Sequence, residues 1–105
     1  MDDFIKAVAV SDIPSGNMKT VIVSGKKLFI ANVDGEFFAI DDACSHAQCS
    51  LGTEGFIDGT VVTCGCHGAT FDVRSGNVMS LPATTDLATH QTKVEGNDVF
   101  VKISP

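Results

Sequence analysis

Residues 32–40 read NVDGEFFAI. Asp34 and Gly35 lie between two apolar runs, and an Asp-Gly pair supplies the positive φ angles that a two-residue antiparallel hairpin demands. Residues 94–101, VEGNDVFV, repeat the arrangement with Gly96-Asn97 at the turn. Outward from these hairpins, Gly and Pro punctuate the chain every few residues, and the short runs of Val, Ile, Phe and Thr between them read as strands. Strands are expected near Ile5–Val10, Lys19–Val23, Lys27–Val33, Glu36–Ile40, Gly59–Thr63, Thr70–Val73, Leu87–Glu95 and Asp98–Ile103. No segment sustains a 3.6-residue apolar period, so no long helix is expected, only a turn near Ala83–Asp86. The architecture is therefore a single all-β domain over residues 1–105, a small antiparallel sandwich or barrel. Asp41 to Gly76 departs from the strand rhythm and holds every cysteine. It reads as loops projecting from the β scaffold, where function usually sits.

Composition narrows the partners. A chain of 105 residues buries roughly 65% of its unfolded surface, enough for a modest core. With 44% hydrophobic residues and a net charge of −6 it is an ordinary acidic globular sequence. Its seven Lys and Arg are scattered, so no basic stripe exists to neutralise the phosphates of a nucleic acid. The opening MDDFIKAVAV carries acidic residues where a signal peptide needs basic ones, and nothing approaches a membrane span. A cytoplasmic protein without a membrane anchor is the expectation, and in that reducing compartment clustered cysteines more often hold metals than disulfides.

All four cysteines and two of the three histidines fall in CSHAQC at 44–49 and CGCHG at 64–68. The spacing is Cys44-x-His46, 17 residues, then Cys64-x-x-His67. Thiolate and imidazole are the side chains that bind transition metals most readily. Zinc accepts two Cys and two His, but zinc modules usually bring their ligands as Cys-x2-4-Cys and His-x3-5-His pairs. Here each loop offers one Cys and one His, which suits a binuclear centre with both thiolates on one iron and both imidazoles on the other.

On these residues the chain resembles the Rieske 2Fe-2S family. The likeness runs on through Gly68-Ala69-Thr70-Phe71-Asp72, Ser75-Gly76 and Leu81-Pro82-Ala83 to the terminal hairpin. Gly65 departs from the family's most frequent form, which has Pro after the second Cys ligand, but Gly65 is not itself a ligand. The resemblance implies a β-sandwich Rieske fold with a two-loop cluster-binding subdomain at about 41–76. It implies one 2Fe-2S cluster, with Cys44 and Cys64 on the inner iron and His46 and His67 on the outer one near solvent. Cys49 and Cys66 match positions that are bridged in high-potential Rieske proteins, whereas soluble oxygenase ferredoxins usually hold other residues there. The resemblance thus makes them a candidate disulfide, against the alternative of two packed free thiols.

Rieske potentials span about −150 to +300 mV, and hydrogen bonds to the sulfurs raise them. High-potential members place Ser and Tyr hydroxyls where this chain has Ala69 and Phe71, so the low end of the range is expected and Ala69→Ser or Phe71→Tyr should raise the midpoint. Solvent-facing imidazoles at His46 and His67 should make the potential fall in alkali. Ala47, Gln48 and Leu51 are expected to form a weakly polar docking tip with the His edges. Asp41, Asp42, Glu54, Asp58 and Asp72 flank it and could steer a basic partner.

An oxygenase also needs a mononuclear iron on two His and a carboxylate. Only His90 is left for that, and the alternating run LATHQTKVE makes it a surface or interface strand residue. No catalytic residue is assigned. The resemblance implies a monomeric soluble ferredoxin taking one electron from a flavin-containing reductase and passing it to a terminal oxygenase. The alternative is a small Rieske subunit of a larger oxidoreductase, of the nitrite-reductase type.

Overall fold

The computed structural model describes residues 4–42, 55–64, 70–80 and 87–103. Within them run β1 (Ile5–Ala9), a 3-10 turn (Val10–Asp12), β2 (Met18–Val23), β3 (Lys26–Val33), β4 (Glu36–Asp41), β5 (Phe56–Asp58), β6 (Val61–Thr63), β7 (Thr70–Asp72), β8 (Val78–Ser80), β9 (Thr89–Glu95) and β10 (Asp98–Lys102). The fold is all-β, as expected. The expected turn at Ala83–Asp86 lies outside the described residues.

Tight hairpins set the register. Asp34 and Gly35 take φ of 53° and 91°, and Val33 pairs with Glu36 across them. Ser24-Gly25 does the same between β2 and β3, at φ of 52° and 80°. Positive φ at both central residues belongs to the turn whose twist matches that of the flanking strands. At Gly96-Asn97 only the glycine is left-handed, at φ 61°, which is the other hairpin type.

These hairpins assemble a six-stranded antiparallel sheet in the order β1-β10-β9-β4-β3-β2. It curls until its two edges, β1 and β2, flank one open cleft lined by Val8 and Val21. A second sheet, β5-β6-β7-β8, lies within the later part of the chain. The 41–76 stretch is therefore not purely loops. It contributes three strands, and β5 and β8 are two that the sequence reading did not separate. Phe56-Ile57-Asp58 and Val78-Met79-Ser80 are each only three residues long, too short to display alternation.

β3 is the wall that the two layers share. Leu28 to Asn32 are buried without interruption, because both faces of this strand are covered. Leu28 and Ile30 join Val8, Ile13, Val23, Phe37, Ala39, Val99 and Val101 in the barrel interior. Phe29 and Ala31 point the other way and pack with Ile40, Val62, Cys64, Phe71, Val73 and Leu87 between the sheets. A strand's period of two thus assigns alternate residues of one apolar run to two cores. Among the described residues no helix is long and apolar enough to cross a membrane.

Candidate metal centre

Of the four residues expected to hold a cluster, Cys64 is described; Cys44, His46 and His67 lie outside the described residues. So do Cys49 and Cys66, and also Ala47, Gln48, Leu51, Glu54 and Ala69. The frame that carries these segments is nonetheless defined. Phe56 pairs with Thr63, Thr63 with Thr70, and Thr70 with Ser80. That row is one end of the small sheet. From it the chain leads into 64–69 and 81–86, and residues 43–55 arrive there. The sequence's two Cys-His segments therefore attach to a common scaffold, one on entering β5 and the other between β6 and β7.

Cys64 follows directly on β6 and is 0% exposed. It belongs to the inter-sheet core with Phe29 and Ile40 from the barrel and Val62 and Phe71 from the small sheet. A thiolate donor fixed by packing at a strand end suits an iron–sulfur group, because the soft ligand is held in place before metal arrives. Among the described residues no three or more His, Cys, Asp and Glu side chains form a group that could hold a metal. Phe71 is also 0% exposed and shares this core, and its ring has no hydroxyl to offer a sulfur.

Of the five acidic residues expected to flank the tip, Glu54 lies outside the described residues, and Asp41, Asp42 and Asp72 are engaged within the chain. Asp42 is 1% exposed and accepts a hydrogen bond from Thr20 Oγ1 at 2.9 Å. Asp41 Oδ1 lies 2.9 Å from His90 Nε2 and 3.5 Å from Lys26 Nζ. Asp72 receives Arg74 through its Nε at 3.3 Å, its terminal nitrogen at 3.2 Å and its backbone N–H at 2.9 Å. These hydrogen bonds from Arg74 hold the Asp72 carboxyl below its usual value. Asp58 and Asp72 flank Val61, at the end of the small sheet away from Cys64. Three of these four carboxylates are thus bound to partners within the chain, Asp41 and Asp42 across strands and Asp72 within its own turn.

His90 is a second correction. Its side chain is 1% exposed, not on the surface. The reason is register: His90 faces Ala39 across the β9–β4 ladder, and Ala39 points into the barrel. The alternation in LATHQTKVE was legible, but only the pairing says which face is inside.

Sequence reasoning also missed Phe56. It is 59% exposed at the Thr63 end of the small sheet, while its neighbour Ile57 packs inward against the inter-sheet core. A period-two reading of 56–58 would have turned Phe56 outward.

Comparison with known proteins bears on this arrangement. The model of the Rieske [2Fe-2S] domain matches residues 3–91. The chain is 43% identical over 101 residues to the biphenyl dioxygenase ferredoxin subunit of Pseudomonas sp. (strain KKS102), covering 96% of this chain and 93% of that protein. Among solved structures, the ferredoxin of carbazole 1,9a-dioxygenase from Nocardioides aromaticivorans IC177 superposes with a TM-score of 0.92 at 22% identity, over 98% of this chain and 100% of that one, a likeness of fold. A chain in the complex of reduced oxygenase and oxidized ferredoxin in carbazole 1,9a-dioxygenase gives a TM-score of 0.88 at 33% identity, with coverage of 97% and 94%.

Proposed function

The chain belongs to the Rieske [2Fe-2S] domain family, and on that premise we propose that it is a Rieske-type ferredoxin carrying one electron from a flavin-containing reductase to a terminal oxygenase. The observation that carries this reading is 43% identity, over nearly the full length of both chains, with a protein named as the ferredoxin subunit of a dioxygenase. A single Rieske 2Fe-2S cluster is the group the family binds, and when bound it accepts and returns one electron.

The chain's own residues then have distinct tasks. Cys44 and Cys64 supply thiolates to the inner iron, His46 and His67 imidazoles to the outer one. Burial of Cys64 supports the inner assignment, since a ligand with no solvent contact suits the iron farther from the surface. Phe29, Ile40 and Phe71 around Cys64 keep water from that side and lower the local polarity. The absence of a hydroxyl on buried Phe71 supports a potential at the low end of the family's range. Phe56 adds exposed apolar area at the end of the small sheet from which residues 64–69 depart, and a transient redox encounter needs only a small contact of this kind. Cys49 and Cys66 form a disulfide between the two ligand segments; intact mass with and without reductant checks it.

The carrier role is tested with the reductase and oxygenase components of a biphenyl dioxygenase. In a rapid-mixing experiment the reductase should reduce the chain, and the separated reduced chain should then deliver one electron per molecule to the oxygenase. A chain that accepts the electron but delivers none would contradict a carrier role.

A further inference from the structure

We infer that His90 is a positioning residue for the cluster: its hydrogen bond to Asp41 fixes the backbone from which the first ligand-bearing segment departs. The inference rests on the assignment of Cys44 as a ligand. Asp41 is the last residue of β4, and Cys44 follows three positions later.

The point of departure is tied down on several sides. The Asp41 N–H donates to the Ala88 carbonyl at 3.0 Å, and the Asp42 N–H reaches the Lys27 carbonyl at 3.4 Å. Thr20 holds the Asp42 carboxylate from β2. Lys26 approaches the Asp41 carboxylate at 3.5 Å, but its side chain is 46% exposed, and ion pairs of that kind contribute little. His90 is different. Its ring is buried, and its Nε2 is 2.9 Å from Asp41 Oδ1. An ionised carboxylate only accepts, so Nε2–H donates. Hydrogen bonds to a charged group are among the stronger ones, and on the donor side burial keeps water from the His90 ring, whereas the Asp41 carboxylate is 28% exposed.

The bond is also placed to act locally. β4 and β9 pair at Ala39 with His90 and Ile40 with Thr89, and the Asp41 N–H bond to the Ala88 carbonyl closes that short ladder. His90 adds a diagonal side-chain tie to the same residue, the last of β4. Thr92 supplies an internal comparison. Its Oγ1 donates to the Phe37 carbonyl at 2.6 Å, a second side-chain tie between β9 and β4, four positions earlier on β4 and away from the departing segment.

The test is the rate at which reduced holoprotein loses its chromophore to excess bathophenanthroline disulfonate, together with its electron spin resonance spectrum. Removing a hydrogen bond to a charged group should make local opening at Asp41 easier, so His90→Phe should lose colour about tenfold faster, equivalent to about 1.4 kcal/mol. Its resonance should broaden as the ligand segment samples more positions. His90→Gln, which can still donate to Asp41, should recover most of the parental rate and line width. Thr92→Val should lower unfolding stability but leave both readouts at parental values. Asp41→Leu, which removes the acceptor and keeps a side chain of similar size, should follow His90→Phe and carries the test if that variant does not fold. Parental rates and spectra in His90→Phe, or in Asp41→Leu where it stands in, would overturn the inference. Equal acceleration in Thr92→Val would overturn it too, by reducing His90 to general barrel stability. A parental protein with no chromophore would instead refute the ligand assignment, so the two failures are distinguishable.

Discussion

Replacing Cys64 by Ala should leave a folded, colourless protein with iron near zero, against about two irons per chain in the parent. Cys64 sits at a strand end inside the inter-sheet core, so its substitution removes a thiolate without disturbing an exposed loop. Alanine leaves a small void and no polar atom there, so the cost in stability should be modest. Serine is the informative partner. Its hydroxyl would be buried among Phe29, Ile40, Val62 and Phe71, where an unsatisfied polar group costs about 1–3 kcal/mol. Cys64→Ser should therefore be both colourless and less stable than Cys64→Ala. Iron and sulfide analysis with urea unfolding separates the two effects. A Cys64→Ala protein that kept half or more of its iron would show that the thiol is a packing residue only.

Gly76→Ala should be the most destabilising single substitution among the described glycines. Gly76 has φ of 74°, and a β-carbon built on it would overlap the Leu87 carbonyl oxygen and press on Thr89 Cγ2. The other described left-handed glycines, at positions 16, 25, 35, 59 and 96, have open space where their β-carbons would stand. Left-handed backbone alone costs an alanine about 1–2 kcal/mol. At Gly76 the collision is with backbone, which cannot swing away, and it would push apart the bond from the Leu87 N–H to the Gly76 carbonyl at 2.7 Å. A total of about 3 kcal/mol is expected, enough to lower the melting temperature by roughly 10 °C or more. Gly35→Ala is the control, losing only the φ contribution. Equal losses at the two positions would mean that the contact between the β7–β8 turn and the start of β9 is not structurally demanding.

The same residues explain what could be read from the sequence. Asp34-Gly35 announced its hairpin because the pair has a strong local conformational preference, and the structure adopts it. Ser24-Gly25 makes an equivalent turn but carries the weaker signal of a serine. The apolar run at Leu28–Ala31 indicated burial, yet its division between two cores depends on β4, β9 and the small sheet covering both faces, which is not local information. His90 failed for that reason, since alternation gives two faces and tertiary pairing decides which is wet. Two strands of the small sheet, β6 and β7, were legible, whereas β5 and β8 were hidden because each is only three residues long. Within the candidate centre, ligand chemistry was the most legible part. Spacing of Cys and His restricts coordination directly, whereas the electrostatic role given to Asp41, Asp42 and Asp72 required knowing that His90, Thr20 and Arg74 would claim them.

The central claim, a binuclear centre with two imidazoles on one iron, is tested most directly by electron–nuclear double resonance on reduced protein labelled with nitrogen-15 histidine. The account predicts a paramagnetic signal whose unpaired electron couples to two distinct histidine nitrogens. A silent spectrum, or a 2Fe-2S signal with no nitrogen coupling, would contradict it.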